Sequence, residues 1–215
     1  NDGTLGNGPV WQPSGGKIGG AVSLDGTDDY ISIANESNFD FEHTDPFSIS
    51  AWIYRDTNNS EDDIFEKVDG AFGWRGYALW MAQSDNNVRF DITAGSGSYM
   101  SIITTGDTVP LGTWIHVVAI YDGSSTGAGM KIYINGVEAS TTASGSFNPG
   151  DTILNNKIPV IGNVEVGSSD TAWDGLIDDV RIYNRALSAA EVQALYNTKY
   201  CAAPVRPEGV MFYNA

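Results

Sequence analysis

Apolar residues recur with a period of two along most of this chain, the spacing that sends successive side chains to opposite faces of a β-strand. In Phe47-Ser48-Ile49-Ser50-Ala51-Trp52-Ile53-Tyr54, one face collects Phe47, Ile49, Ala51 and Ile53. Trp114-Ile115-His116-Val117-Val118-Ala119-Ile120-Tyr121 is apolar on nearly both faces, which predicts a central strand covered on each side. Met130 to Ile134, then Asn135-Gly136, then Val137 to Ala139 predicts a hairpin, because Asn-Gly readily takes the positive φ angles of a type I′ turn. Further strands are expected near 20–24, 29–33, 63–67, 77–82, 87–92, 99–104, 158–161 and 175–183. The gaps between them are rich in Gly, Ser, Asn, Asp and Thr. Many short strands with turn chemistry between them point to an antiparallel sandwich, in which Trp52 and Trp114 are packing residues.

One helix is signalled. Ser188 with Glu191 three residues later forms a capping box, and Leu187 and Val192 are spaced for a hydrophobic staple across it. Val192, Leu195 and Tyr196 then make an apolar stripe expected to close over an edge of the sandwich. The helix should fray near Asn197, so residues 1–197 read as one domain. Residues 198–215 contain Pro204 and Pro207 and read as a linker or the start of a following module.

Composition narrows the function classes. The 215 residues include 27 acidic against 11 basic side chains, a formal net charge of −16. Such a chain is repelled by phosphate backbones and anionic membrane surfaces, so nucleic acid is not an expected partner. No run approaches the ~18 apolar residues of a membrane-spanning helix, and membrane insertion is not expected. The start Asn1-Asp2-Gly3-Thr4 has no initiator Met and no leader pattern, which suggests one module of a larger polypeptide. Cys201 is the single cysteine, so the chain holds no internal disulfide and no cysteine-based zinc cluster.

Several segments together resemble the laminin G-like domains of the concanavalin A-like lectin/glucanase superfamily. They are Gly19 to Tyr30, Phe47 to Ile53, Trp114 to Gly123, the hairpin ending in Tyr133-Ile134-Asn135-Gly136, and Gly175 to Ser188 with Glu191. The resemblance covers residues 1–197. It implies an all-β, antiparallel jelly-roll sandwich of two sheets with a short helix after the last strand. It further implies a secreted or surface protein, often bacterial, whose module binds glycans or mediates adhesion, with calcium common in the superfamily.

Calcium takes oxygen ligands, and Asp25-Gly26-Thr27-Asp28 offers carboxylates around a Gly turn at the entrance of a strand. Asp178 and Asp179 supply a second acidic pair where the final strand begins. In a sandwich that joins first and last strands, Asp25, Asp28, Asp178 and Asp179 are the expected calcium ligands, with Asp29 a solvated neighbour. The same stretch also reads as a plain turn. Alternation aims Asp178 inward unless a β-bulge at Asp178-Asp179 turns it.

Two further patterns bear on sugar chemistry. Glu61-Asp62-Asp63-Ile64-Phe65-Glu66 resembles the catalytic strand of retaining glucanases, whose two carboxyls stand about 5–5.5 Å apart. In an even strand, however, Glu61 and Asp63 share one face and Glu66 points to the other, so the pattern works only with a bulge. Ile64 to Lys67, the Gly-rich loop after it and Gly76-Tyr77-Ala78-Leu79 resemble the laminin G-like pattern instead, and Asn58-Asn59-Ser60 is less apolar than the flank of the glucanase motif. Catalysis is therefore not expected. His43, in a polar loop, reads as solvated, and His116, in a strand, as structural. Sugars present apolar faces to aromatic rings, and Trp74, Arg75, Tyr77 and Trp173 sit in loop-like segments where recognition residues gather. The segments Gly123–Gly129 and Ala143–Asn156 carry no signal.

The expectation is a non-catalytic carbohydrate-binding or adhesion module, extracellular or at the cell surface. Its partners are a glycan or polysaccharide and other modules of the same polypeptide, and calcium is its candidate cofactor. The rivals are a glycan-cleaving enzyme using Glu61, Asp63 and Glu66, and a structural spacer.

Overall fold

Alternating segments from both halves of the chain pair into two stacked antiparallel sheets. The computed structural model describes residues 2–58, 61–82, 86–95, 97–106, 108–164 and 171–198. Cys201 and the proposed linker beyond Thr198 lie outside them. The strands are β1 (Gly3–Gly6), β2 (Val10–Gln12), β3 (Ala21–Asp25), β4 (Tyr30–Ile33), β5 (Phe47–Arg55), β6 (Asp62–Asp69), β7 (Arg75–Ala82) and β8 (Asn87–Thr93). They continue as β9 (Tyr99–Thr104), β10 (Ile115–Tyr121), β11 (Met130–Ile134), β12 (Val137–Glu138), β13 (Thr141–Gly145), β14 (Val160–Ile161) and β15 (Asp174–Tyr183). One sheet has the order β1-β4-β14-β6-β7-β8-β9-β13 and the other β12-β11-β10-β5-β15-β3-β2. This is the expected jelly-roll, with first and last long strands adjacent. Three strands were not legible: β1, β2 and β13, short sheet-edge segments whose residues are mostly exposed and so carry no alternation.

The Asn-Gly hairpin forms as predicted. Asn135 and Gly136 have φ of 52° and 82°, and Ile134 pairs with Val137 across a two-residue loop. In β8, Val88, Phe90 and Ile92 enter the core between the sheets while Arg89, Asp91 and Thr93 face outward. Strand β10 is buried along its whole length. Val117, Ala119 and Tyr121 meet the inter-sheet core, and Val118 and Ile120 meet a second apolar cluster with Tyr133, Tyr183, Leu187 and Val192. That second cluster lies under the helix α1 (Ala189–Tyr196), which packs on the outer face of the seven-stranded sheet rather than over an edge. Its capping box is made: the Ser188 N–H donates to Glu191 Oε2 at 2.8 Å, and the Glu191 N–H to Ser188 Oγ at 3.4 Å.

Strand β6 departs from alternation. Asp63 pairs with Trp80 and Phe65 with Leu79, so one extra residue, Ile64, is inserted between them. Ile64 and Phe65 are both fully buried in the inter-sheet core although they are consecutive. The bulge therefore resets the phase of the strand.

Further along β6, the side chain of Lys67 is 1% exposed. Its ammonium donates to Glu36 Oε1 at 2.9 Å, Asp40 Oδ1 at 2.8 Å and the Asn155 carbonyl at 2.6 Å. All three protons of Nζ are thus used, and one side chain ties β6 to two separate connections. Replacing Lys67 with Met strips these acceptors of their shared donor. The expected loss is about 3 kcal/mol, at the low end for a broken buried ion pair because both carboxylates can rehydrate. Equilibrium urea unfolding of K67M measures it.

Candidate functional site

The bulge in β6 decides which carboxylates share a surface. Because Ile64 and Phe65 both turn inward, Asp63 and Glu66 both face outward from the eight-stranded sheet, and Glu61 joins them. All three line one cavity of about 460 Å³. The registered row Glu66–Ala78–Asp91 runs across the sheet next to the row Asp63–Trp80–Arg89. Small Ala78 leaves the floor open between Glu66 and Asp91. Gly76 is required beside it, since with φ +134° a Cβ there would lie 1.9 Å from the Lys67 carbonyl oxygen.

Two tryptophans complete the walls. Trp74 is 66% exposed and has φ of 65°, directly after Gly73 at 74°. A bulky residue in the left-handed region carries strain of order 1–3 kcal/mol, and such residues gather at functional sites. Trp80 donates from Nε1 to Asp91 Oδ2 at 3.1 Å. The Arg89 guanidinium lies 5.0 Å from the Trp80 ring centre and bonds Asp91 Oδ1 at 2.9 Å. Trp80 and Asp91 are therefore held rigidly, and Trp74 offers the open ring face.

Charge in the cavity is one-signed. Among the described residues, no basic side chain lines it. Burial raises the Asp63 carboxyl well above the ordinary carboxylate range, and the neighbouring Glu66, Glu61 and Asp62 push it the same way. Asp62 itself points elsewhere: it receives Arg55 Nη2 at 2.5 Å and Nε at 3.1 Å in a buried ion pair.

The structure separates the other predicted sugar contacts. Tyr77 is 2% exposed, its ring packs against Phe47 and Phe65, and its hydroxyl donates to the Phe39 carbonyl at 3.0 Å. Trp173 is fully buried, with Nε1 donating to the Tyr54 carbonyl at 3.3 Å. Tyr77 borders the same cavity, with its ring packed into the core, while Trp173 does not line it; both sit at inward positions that the loop-like sequence concealed. Arg75 faces a different cavity, with Asp40, Asp69, Phe72, Leu154 and Asn155. Trp80 and Asp91 were missed. Their signal was present in β7 and β8, where both occupy the outward phase between buried residues.

The acidic turn is rearranged relative to expectation. Asp25, Asp28 and Asp29 bring carboxylate oxygens within 4.8 Å of one another. Asp29 is 4% exposed and accepts the Asp25 N–H at 3.0 Å, so it is an inner member of the group and not a solvated neighbour. Asp178 and Asp179 are not part of it. Asp25 stands opposite Asp174, and Asp178 lies four residues further along β15, roughly 13 Å at 3.3 Å per residue. Of the two alternatives for Asp178, the bulge is the one present, with a register shift between Asp178 and Arg181 and φ of 49° at Asp179. It pairs Asp179 with Arg181 at 2.9 Å and lets Asp178 accept the Ile18 N–H at 2.7 Å. The histidines are structural. His43 is 8% exposed and bonds Ser125 Oγ at 2.8 Å, contrary to the solvated reading, because its loop folds under Phe147. His116 bonds Ser50 Oγ at 3.0 Å, and burial lowers its pKa to about 4.

With fold and cavity in view, comparison with known proteins assigns the family. Residues 25–193 match the profile described as concanavalin A-like lectin/glucanases superfamily. The chain belongs to that superfamily. Adhesion G-protein coupled receptor V1 of Danio rerio is 27% identical over 157 residues, 70% of this chain; the chain spans only 2% of the receptor's length. Among solved structures, the binding domain of Paraclostridial Mosquitocidal Protein 1 superposes with a TM-score of 0.66 at 21% identity, covering 90% of this superfamily member and 47% of the other chain. Domain 4 of AbnA, an extracellular arabinanase from Geobacillus stearothermophilus solved with arabinotriose, gives 0.62 at 24% identity, covering 91% and 88%. No helix among the described residues is long and apolar enough to cross a membrane.

Asp178 sets a measurable pH dependence for the domain. Burial raises its pKa to about 6, against roughly 3.9 for an unfolded Asp. Between these values the folded chain binds the extra proton, so this group's contribution to stability falls as pH rises from 4 to 6. Asp178→Asn keeps an acceptor for Ile18 and removes the charge. The variant should be more stable at pH 7.5 by roughly 1–2 kcal/mol and should lose the decline between pH 4 and 6, as followed by thermal melts across pH.

Proposed function

We propose that this domain is a non-catalytic carbohydrate-binding module of a larger extracellular or surface protein. The observation that carries this reading is the cavity on the eight-stranded sheet, where an exposed, strained Trp74 stands beside Glu61, Asp63 and Glu66. An indole face takes the apolar face of a sugar ring, and carboxylates accept from its hydroxyls in fixed directions. Structures of the same fold include a binding domain and a domain solved with arabinotriose, which supports the reading. An oligosaccharide array followed by product analysis tests it. Binding without cleavage is expected, and Trp74→Ala should weaken retention at least about tenfold, roughly 1.4 kcal/mol.

One observation favours a second reading. The β6 bulge meets the condition that the Glu61-x-Asp63-x-x-Glu66 pattern needed, by bringing its three carboxylates to one cavity. Glycan cleavage by this set would appear as reducing-sugar release that Glu66→Gln abolishes. Release that persists in that variant removes this reading.

Calcium is proposed at the acidic turn. The donors of Asp25, Asp28 and Asp29 are all carboxylate oxygens, the chemistry that a hard cation takes, and the Asp29 pKa is raised by burial and by Asp25, a cost that a cation would offset. The ion would hold the entrance of β4 against the end of β3. Millimolar calcium after chelation should raise the Tm of the wild type and leave that of Asp28→Ala unmoved. At a hundredfold excess over Kd the stabilisation is about 2.7 kcal/mol. An unshifted wild-type Tm removes the metal.

A further inference from the structure

We infer that the cavity selects sugars bearing a free amine, of the glucosamine type, over neutral and acidic sugars. The inference rests on the glycan-binding reading and adds the ligand's charge.

Three observations converge on it. The first is that Glu61, Asp63, Glu66 and Asp91 all reach the cavity, yet no basic side chain among the described residues lines it. Arg89, in the neighbouring row, is bound to Asp91 and spread over Trp80. A ligand with its own negative charge would meet this wall as well as the chain's net charge of −16.

The second is Asp63. It is 6% exposed, and among the described residues no hydrogen bond reaches its carboxylate, while its backbone N–H donates to the Thr171 carbonyl at 3.0 Å. A buried carboxylate without a partner costs several kcal/mol or takes up a proton. Its one open side is the cavity, so a ligand entering there is what would supply the missing donor.

The third is spacing. Among the described residues, Asp25, Asp28 and Asp29 form the only group of three or more His, Cys, Asp or Glu side chains whose ligand atoms all lie within 4.8 Å of one another. Glu61, Asp63 and Glu66 are too spread to close around one metal ion. An organic ammonium on a ring suits them better: the charged group donates to Asp63 and Glu66, while ring hydroxyls extend to the remaining acceptors. The same ring can lie on Trp74, where an ammonium near an indole face gains further attraction.

The test is a titration of the full chain, followed by Trp fluorescence and calorimetry at near-neutral pH, where an ammonium can draw the proton from Asp63. The probes are a glucosamine tetrasaccharide, its fully N-acetylated counterpart, a neutral cellotetraose and an oligolysine peptide of similar charge. The amine tetrasaccharide should bind at least about tenfold tighter than the N-acetylated one, a difference that one charge-assisted hydrogen bond supplies. That margin should shrink between about 50 and about 500 mM salt as screening sets in. Asp63→Asn should reduce affinity for the amine tetrasaccharide about tenfold. If that variant does not fold, Glu61→Gln, at a more open position, should shrink the same margin. Equal affinities for the three sugars, with binding lost in Trp74→Ala, would overturn the amine preference and leave the glycan reading standing. Absence of binding by every sugar overturns both. Oligolysine binding as tightly as the amine sugar reduces the cavity to a general cation trap and overturns the inference.

Discussion

The extra residue in β6 is the constraint on which the rest of the site depends. A regular strand would have placed Ile64 and Phe65 on opposite faces, leaving one of them in water. Burying an apolar side chain of that size is worth about 1.5–3 kcal/mol, so the core between the sheets gains by taking both. Taking both requires the strand to insert a residue, and the insertion flips the phase beyond it. Asp63 and Glu66, three positions apart, thereby come to share the outer face. Packing on one side of the sheet thus arranges the chemistry on the other.

The two sheets use their outer faces differently. The seven-stranded sheet is covered in part, with α1 laid over Val118, Ile120 and Tyr133. The eight-stranded sheet has no such cover among the described residues, and its outward positions are filled by Glu66, Ala78, Trp80 and Asp91. A rigid floor of paired strands lets these side chains stay where they are set, which a loop would not. Trp74 is the exception, placed by a short turn at the cost of backbone strain.

Much of the fold was legible because burial on one face writes a period of two into a strand. β5, β8, β10 and β11 could be read that way, and the Asn135-Gly136 turn fixed its own hairpin. β1, β2 and β13 could not, since edge strands exposed on most positions leave no alternation to see. The site was legible only in parts. Glu61, Asp63, Glu66 and Trp74 stood out by residue type, but Trp80 and Asp91 looked like ordinary strand residues. Trp173 looked like a loop aromatic and is core, because its segment turns inward beside Tyr54 before pairing begins.

Sequence alone determined the layer architecture, the hairpin, the capped helix and the acidic character of the surface, all of which arise from local periodicity, turn chemistry or composition. Tertiary structure decided which acids meet. Asp25 faces Asp174 and gathers Asp28 and Asp29, while Asp178 is four residues away holding Ile18. Asp63 and Glu66 share a cavity because a bulge moved the register by one. Register is a property of paired strands, set by what both faces bury at once, and no single strand carries that information in its own residues.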